Sequence, residues 1–162
     1  FDEAILINND SLYNLVLNGD GTNLGMLDMI NEYGGTNAAN LAAYYSGMIY
    51  LKMNDYQNSI KYLSEFNSDD MILGSLATGS IGDAFAELNQ FEDAYEYYVK
   101  ASKNNNSYTS PIYLFKAGLI AMKLEKFKKA EGYFSSIKSD YSKSAEAKNI
   151  DAYISKARAS YQ

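Results

Sequence analysis

Several residue types that carry common chemistry are missing from this sequence. The chain of 162 residues contains no Cys, which excludes disulfide frameworks, thiolate catalysis and zinc sites with cysteine ligands. It contains no His, so it lacks the usual general base and the commonest metal ligand. Any catalysis would have to use carboxylates, Ser, Lys or Tyr. We therefore expect a protein that is not an enzyme and that holds neither a cofactor nor a metal.

Proline and long apolar runs are scarce as well. One Pro and 11 Gly in the whole chain favour helices over a sandwich rich in turns. No apolar run approaches the roughly 18 residues that a membrane span requires, so we expect no membrane contact by these residues. The sequence begins at Phe1 without an initiator Met, and we expect that an N-terminal anchor or signal peptide has been removed.

The net charge of −6 combines two parts of opposite sign. Residues 1–99 hold 2 Lys and 15 Asp or Glu, a net −13, whereas residues 100–162 hold 12 Lys or Arg and 5 Asp or Glu, a net +7. A chain polarised in this way can associate head to tail or meet partners of different sign. Its lysines are spread over helical surfaces that also carry acids, so we expect no nucleic-acid binding.

Two amphipathic segments come first in the chain. Residues 2–17 have apolar residues at helical spacing and end at the turn signal Asn18-Gly19-Asp20-Gly21. An EF-hand loop requires a Glu at its twelfth position, but the twelfth residue from Asn18 is Met29, so we predict a turn and no calcium site. Residues 23–33 predict a second helix, which Gly34-Gly35 ends. Thr36 is a good N-cap for the next one.

From Gly47 onward the sequence repeats itself. Gly47, Gly82 and Gly118 lie 35 and 36 residues apart, and the same residue classes recur at fixed offsets from each of them. The offsets give an aromatic at plus nine, a small residue at plus twelve and a large apolar residue at plus sixteen (Tyr56, Phe91, Phe127; Ser59, Ala94, Ala130; Leu63, Tyr98, Phe134).

Each of these three units is predicted to form two antiparallel helices. The glycine lets the facing helix come close because it has no Cβ, and the small residue at plus twelve serves the same contact. Short polar links stand between the helices, at Asn54-Asp55, Asn89-Gln90 and Glu125-Lys126. Ser110-Pro111 is predicted to start the third unit as an N-cap followed by a proline at the first helical position.

The pattern changes after Tyr141. The segment from Ser144 to Arg158 sets apolar residues at helical spacing against a polar face, which predicts a helix that caps the last exposed face of a repeat stack. A membrane-surface helix is the alternative, but the segment lacks large apolar residues on a broad face.

This unit of roughly 34 residues, with its Gly, aromatic and Ala pattern, resembles the tetratricopeptide repeat over about residues 37–140. The resemblance implies an all-α fold, a right-handed α-solenoid of antiparallel helix pairs that forms a single domain over residues 1–162. Its parts would be an N-terminal helical pair (1–35), repeat 1 (37–69), repeat 2 (71–106), repeat 3 (110–140) and a capping helix (142–160). The family's signature Trp is replaced by Ala43, Thr78 and Leu114, so the repeats are divergent.

The run from Tyr33 to Ala42 is similar to a bacterial envelope subfamily of these repeats. Its members resemble the ancillary subunit of the Sec translocon and have an N-terminal membrane anchor with an extracytoplasmic repeat domain. This narrower resemblance implies a membrane-anchored protein of the bacterial periplasm or cell envelope, with the cytoplasm as the alternative.

The resemblance also implies where a partner would bind, because the first helix of each unit lines a concave groove in this family. Carried over by offset, the groove residues are Tyr44, Met48 and Lys52, then Gly79, Asp83 and Glu87, then Phe115, Leu119 and Lys123. Tyr44 and Met48 stand where chaperone-binding members have a Lys and an Asn, so we expect no carboxylate clamp. The expected groove is apolar with an acidic middle, suited to an amphipathic helix or an extended peptide with a central basic residue.

Other interpretations of these residues remain open. Aromatic residues at helical spacing are core more often than ligand sites, so Tyr44, Met48, Phe115 and Leu119 could be covered by the N-terminal helices or the cap. Tyr and Asn side chains could also stack on sugars. The carboxylate pairs Asp69-Asp70 and Glu92-Asp93 lie in a loop and in the first turn of a helix, where the macrodipole explains acids.

The expected function is a non-enzymatic scaffold for protein–protein interaction whose partner is another protein or a peptide. The alternative is structural self-association, weak in strength, through the acidic N-terminal and basic C-terminal parts.

Overall fold

The computed structural model describes residues 2–162, and the side chains of residues 10–162. Over the described residues it contains helices and no strands, which confirms the all-α fold class. The helices are α1 (Asp2–Asn18), α2 (Met26–Glu32), α3 (Asn37–Lys52), α4 (Tyr56–Glu65), α5 (Met71–Glu87), α6 (Phe91–Ser102), α7 (Ser110–Lys123), α8 (Phe127–Asp140) and α9 (Ile150–Ala159).

The chain divides into two compact units. Unit 1 is Phe1–Asn67 and unit 2 is Ser68–Gln162, so unit 1 contains α1 to α4 and unit 2 contains α5 to α9. Within each unit every helix packs against the next one along the chain. This succession of neighbours is that of a helical-repeat stack. The single domain over residues 1–162 and the right-handed sense stay predictions.

The turns inside the three helix pairs share one geometry. Asn54, Asn89 and Glu125 have left-handed φ values of 60°, 59° and 58°. The backbone N–H of the following residue reaches back to a carbonyl in the last helical turn at 2.8–2.9 Å (Asp55 to Tyr50, Gln90 to Phe85, Lys126 to Ala121). This hydrogen bond is the signature of a Schellman cap. The predicted polar links are confirmed, and each is a tight helix-ending turn.

Close packing within the helix pairs follows the predicted pattern. A Cβ placed on the repeat glycines would overlap the side chain at plus sixteen (Gly47 with Leu63, Gly82 with Tyr98, Gly118 with Phe134). The residues at plus twelve are fully buried (Ser59, Ala94, Ala130). The helices therefore approach at the glycine, as the period predicts.

The turn between α1 and α2 is organised by Asp20. Its carboxylate accepts hydrogen bonds from the backbone N–H of Thr22 at 2.8 Å and of Asn23 at 2.6 Å. The hydrogen bonds from Asn23 and Thr22 hold the pKa of Asp20 below its ordinary value. Because this turn occupies residues 20–23, α2 begins at Met26 and not at residue 23 as predicted.

The N-cap of α3 was predicted correctly, whereas the N-cap of α7 was predicted one residue too late. Thr36 caps α3 as expected, since its Oγ accepts a hydrogen bond from the backbone N–H of Ala39 at 3.2 Å. The N-cap of α7 is Thr109 and not Ser110. The reason is Asn106, whose Oδ1 accepts from the backbone N–H of Tyr108 and Thr109. That turn moves the helix start back by one residue.

The C-terminal helix is shorter than predicted. Residues 142–149 form turns, in which Ser144 Oγ accepts from the backbone N–H of Ala147. Asn149 then has a left-handed φ of 61°, which cannot continue a right-handed helix. The prediction of helix for residues 144–149 is therefore wrong. From Ile150 onward α9 buries Ile150, Ile154 and Ala157 in a core shared with Phe134.

Candidate functional site

The three predicted groove residues of α3 differ in exposure. Tyr44 is buried, with 8% of its surface exposed. Its ring centroid lies 5.4 Å from that of Tyr45 and 5.1 Å from that of Phe66, and burial raises the pKa of its hydroxyl. Met48 is half-buried and Lys52 is exposed. Of the three, Met48 and Lys52 are therefore accessible to a partner.

Another set of side chains on α3 faces solvent. Leu41 and Tyr45 are 41% and 47% exposed. They stand four residues apart, and Met48 and Lys52 follow at helical spacing, so the four lie along one face of the helix. We call Leu41, Tyr45, Met48 and Lys52 the α3 stripe. The opposite face is buried through Ala39, Ala42, Ala43, Ser46 and Gly47. Leu41 and Tyr45 are not among the predicted groove residues, which include the neighbouring Tyr44.

In unit 2, Asp83 of α5 is already paired. Its carboxylate accepts two hydrogen bonds from Lys116 Nζ of α7, at 2.6 Å and 2.8 Å, and a third from the Tyr98 hydroxyl at 2.6 Å. The Lys116 ammonium also lies 5.5 Å and 5.8 Å from the ring centroids of Tyr98 and Tyr113. Burial, and then the hydrogen bond to Asp83, raise the pKa of Tyr98 well above its ordinary value. The negative charge of Asp83 is therefore compensated inside the unit.

The other two predicted residues of α5 have separate surroundings. Gly79 is buried, and the ring of Tyr113 occupies the space that a Cβ would need. Its small size thus serves the contact of α5 with α7. Glu87 is exposed at the end of α5. The expected acidic middle consists of one compensated carboxylate, Asp83, and one exposed carboxylate, Glu87.

The predicted groove residues of α7 also differ in exposure. Phe115 packs into the core of unit 2, with ring centroids 5.8 Å from Phe134 and 4.9 Å from Tyr153 of α9. Leu119 is 40% exposed. Lys123 is exposed, and its Nζ lies 3.6 Å from the ring centroid of Phe91. Leu119 and Lys123 are thus the accessible pair on this helix.

Residues in the run from Tyr33 to Ala42 form a turn and hydrogen bonds within unit 1. Gly35 takes a left-handed φ of 83° between α2 and α3. The Asn40 side chain donates to the carbonyl of Asn67 at 2.7 Å and accepts from its backbone N–H at 2.9 Å. A cavity of about 530 Å³ lies beside these residues, lined by Gly34, Gly35, Thr36, Asn40 and Asn67 among others. The motif therefore ties the start of α3 to the end of α4.

The carboxylate pairs have structural roles as well. Asp70 Oδ1 accepts hydrogen bonds from the backbone N–H of Ile72 and Leu73, both at 2.8 Å, and so caps α5. Glu92 and Asp93 lie in the first turn of α6, where acids are favoured by the helix dipole. Among the residues that the structure describes, no group of three or more carboxylates is placed to hold a metal ion.

None of the helices described is both long enough and apolar enough to cross a bilayer.

Comparison with known families identifies part of unit 1. Residues 41–69 match a family model described as tetratricopeptide repeat, and this span covers α3 from Leu41, all of α4 and residues 66–69 of the link to α5. No curated protein matches the chain. The match and the helix pairs together support a tetratricopeptide-repeat protein, a class that suggests a protein–protein interaction scaffold. Neither comparison supports the narrower resemblance to the envelope subfamily.

Proposed function

We propose that this protein is a non-enzymatic scaffold for partner proteins and that each unit binds a partner segment by the exposed face of a first helix. In unit 1 this face is the α3 stripe, and in unit 2 it is the exposed part of α7 at Leu119 and Lys123. The observation that carries the proposal is the exposure of Leu41 and Tyr45, 41% and 47%, on the helix that opens the matched repeat.

The chemistry of the α3 stripe fits the apolar side of a partner helix or an extended segment. Leu41, Tyr45 and Met48 present apolar or aromatic surface, and Lys52 ends the stripe with a positive charge. Aromatic residues and Met are enriched in the cores of protein interfaces, and a few such anchors carry most of the binding energy. The edge contact of Tyr45 with the buried ring of Tyr44 restricts the Tyr45 ring, which lowers the entropy lost on binding.

In unit 2 the carboxylate of Asp83 does not require a positively charged side chain from the partner. Lys116 already donates to both carboxylate oxygens, so a basic residue of the partner would compete with an internal ion pair. Leu119 offers apolar contact on the same unit. We therefore propose an apolar segment that lacks the central basic residue expected from the sequence.

The test uses peptides selected from a random library against the purified protein. A Leu41→Ala, Tyr45→Ala double variant should bind the selected peptides more weakly, because both apolar anchors of the α3 stripe are lost. The matched control is Leu12→Ala, Leu15→Ala, which truncates two leucines of α1 that are 54% and 48% exposed in the same unit. Thermal unfolding of both variants checks that they remain folded. If both bind like the wild type, the α3 stripe is not the site.

We also propose that the natural gene product resides in the bacterial cell envelope and faces the periplasm. The support is the similarity of the run from Tyr33 to Ala42 to the envelope subfamily. Cell fractionation with protease treatment of spheroplasts measures this location directly. The expected result is a membrane-associated protein that the added protease degrades, and recovery in the cytosolic fraction would contradict it.

A further inference from the structure

The corner between α7 and α8 in unit 2 concentrates positive charge. The seven residues from Lys123 to Lys129 contain four lysines and one acid, Glu125. The ammonium group of each lysine lies near an aromatic ring. The distances from Nζ to the ring centroid are 3.6 Å for Lys123 and Phe91, 4.6 Å for Lys126 and Tyr95, 5.9 Å for Lys129 and Tyr95, and 5.5 Å for Lys128 and Tyr161. We call Lys123, Lys126, Lys128 and Lys129 the basic corner.

Among the residues whose side chains the structure describes, no acid forms an ion pair with the basic corner. The ion pairs among residues 10–162 are Lys116–Asp83, Lys138–Asp151 and Arg158–Glu131, and none of them includes a lysine of the corner. Glu131, one turn further along α8, is held by Arg158 and by the Tyr161 hydroxyl. The acids of α6 (Glu92, Asp93, Glu96) and Glu125 in the turn are exposed and lie outside ion-pair distance of these lysines. The positive charge is therefore available to a partner.

Helix stability does not explain this arrangement. Lys126 is the N-cap of α8, Lys128 and Lys129 lie in its first turn, and no acid is present there. Cations at a helix N-terminus are unfavourable because the macrodipole is positive at that end. The equivalent helix of the preceding pair, α6, has Glu92 and Asp93 in its first turn. The lysines are therefore placed against the local preference of the backbone, and an anion bound beside them would relieve the repulsion.

We infer that the basic corner docks an acidic segment of a partner protein, an inference that rests on the proposed scaffold function. Phe91 and Tyr95 are four residues apart on α6, so their Cβ atoms lie about 6 Å apart along one face of the helix. Alternate side chains of an extended peptide are about 6.6 Å apart. Carboxylates at alternate positions of such a peptide therefore have a spacing similar to that of the two α6 positions over which Lys123 and Lys126 lie. Each ammonium has three N–H donors, so contact with a ring leaves donors for a carboxylate.

The test measures the binding of a fluorescent peptide of alternating glycine and glutamate by polarisation. Lys126→Gln, Lys129→Gln should weaken binding roughly tenfold, the combined effect of two exposed ion pairs. The matched control is Lys148→Gln, Lys156→Gln, which removes the same charge from exposed positions outside the corner and should change the affinity less than about twofold. A peptide with glutamine in place of glutamate should not bind. Circular dichroism shows whether both variants keep their helices.

Several results would overturn the inference. Equal losses in the corner variant and the control would mean that net charge, and not this surface, attracts the peptide. Tighter binding of a single-stranded oligonucleotide, or of vesicles with phosphatidylserine, through the same lysines would replace the peptide by another anionic partner. The outcome is independent of the library peptides that test the α3 stripe, because that stripe lies in unit 1 and its variants leave all four lysines unchanged.

Discussion

At the scale of single residues, three buried glycines mark close helix contacts in unit 2. Gly82 and Gly118 admit Tyr98 and Phe134 within their own pairs, whereas Gly79 admits Tyr113 from α7. Tyr113 is 4% exposed, and its ring centroid lies 6.3 Å from that of Tyr98 at a small interplanar angle. The Tyr113 ring is therefore buried and lies against a second ring. A side chain at Gly79 must therefore displace a packed ring.

We predict that Gly79→Ala destabilises the protein. The overlap with Tyr113 should cost about 1–3 kcal/mol as overpacking, and the higher helix propensity of Ala returns only about 1 kcal/mol. The control is Gly132→Ala in α8, where an added Cβ meets nothing within 4 Å and where a gain of about 0.5–1 kcal/mol is expected. Thermal and denaturant unfolding measure both changes. Equal stabilisation by the two substitutions would show that Tyr113 does not fill the space beside Gly79.

The side chains that a helix exposes are harder to predict from the sequence than the helix itself. The period locates α3 correctly, but neighbouring residues of a helix differ in direction by about 100°, so the choice between Tyr44 and Tyr45 depends on what covers them. Phe66, which lies beyond α4, covers Tyr44. Likewise, Asp83 looked like a free acid because its partner Lys116 lies 33 residues away. Long-range contacts of this kind leave no local signal.

At the scale of elements, α9 is the helix that completes the core of unit 2. Ile150, Ile154 and Ala157 join Phe134 and Ile137 in one buried cluster. Exposed polar contacts flank it, since Arg158 and Tyr161 both bond to Glu131 of α8. These bonds raise the pKa of Tyr161 and lower that of Glu131, but they are at the surface and contribute little. The apolar contacts hold α9 in place.

We predict that Ile154→Ala destabilises the protein by about 2–4 kcal/mol, because it leaves a cavity beside Phe134 and Tyr153. Ser155→Ala, on the exposed side of the same helix, should change the free energy of unfolding by less than about 0.5 kcal/mol. Chemical denaturation of both variants gives the comparison. Similar small effects in the two would mean that α9 is not part of the core.

The elements also differ in how well their ends could be predicted. The three turns within helix pairs were placed correctly because short polar links between apolar periods are local signals. The start of α9 was placed six residues early, since Ala145 and Ala147 continue the helical spacing while the left-handed Asn149 interrupts it. Asn adopts that conformation more readily than most residues, but the sequence alone does not show that it does so here.

At the scale of the whole molecule, the two units present different chemistry to partners. Unit 1 has an apolar and aromatic face on α3, with Leu41 and Tyr45 exposed. Unit 2 compensates its central acid with Lys116 and gathers four lysines in the basic corner. The α3 stripe is suited to apolar anchors, whereas the basic corner is suited to an acidic stretch. The repeat period predicts the helix pairs that carry these faces. It does not predict the exposed side chains, because these differ between the two units.

The dissociation constant of a library-selected peptide for the Leu41→Ala, Tyr45→Ala variant tests the central claim most directly. Loss of two interface anchors should weaken binding at least about tenfold, while Leu12→Ala, Leu15→Ala should change it less than about twofold. Isothermal titration of the wild type and both folded variants gives the three constants. We expect that the α3 variant alone loses affinity. Unchanged affinity of that variant, or an equal loss in the α1 control, would contradict it.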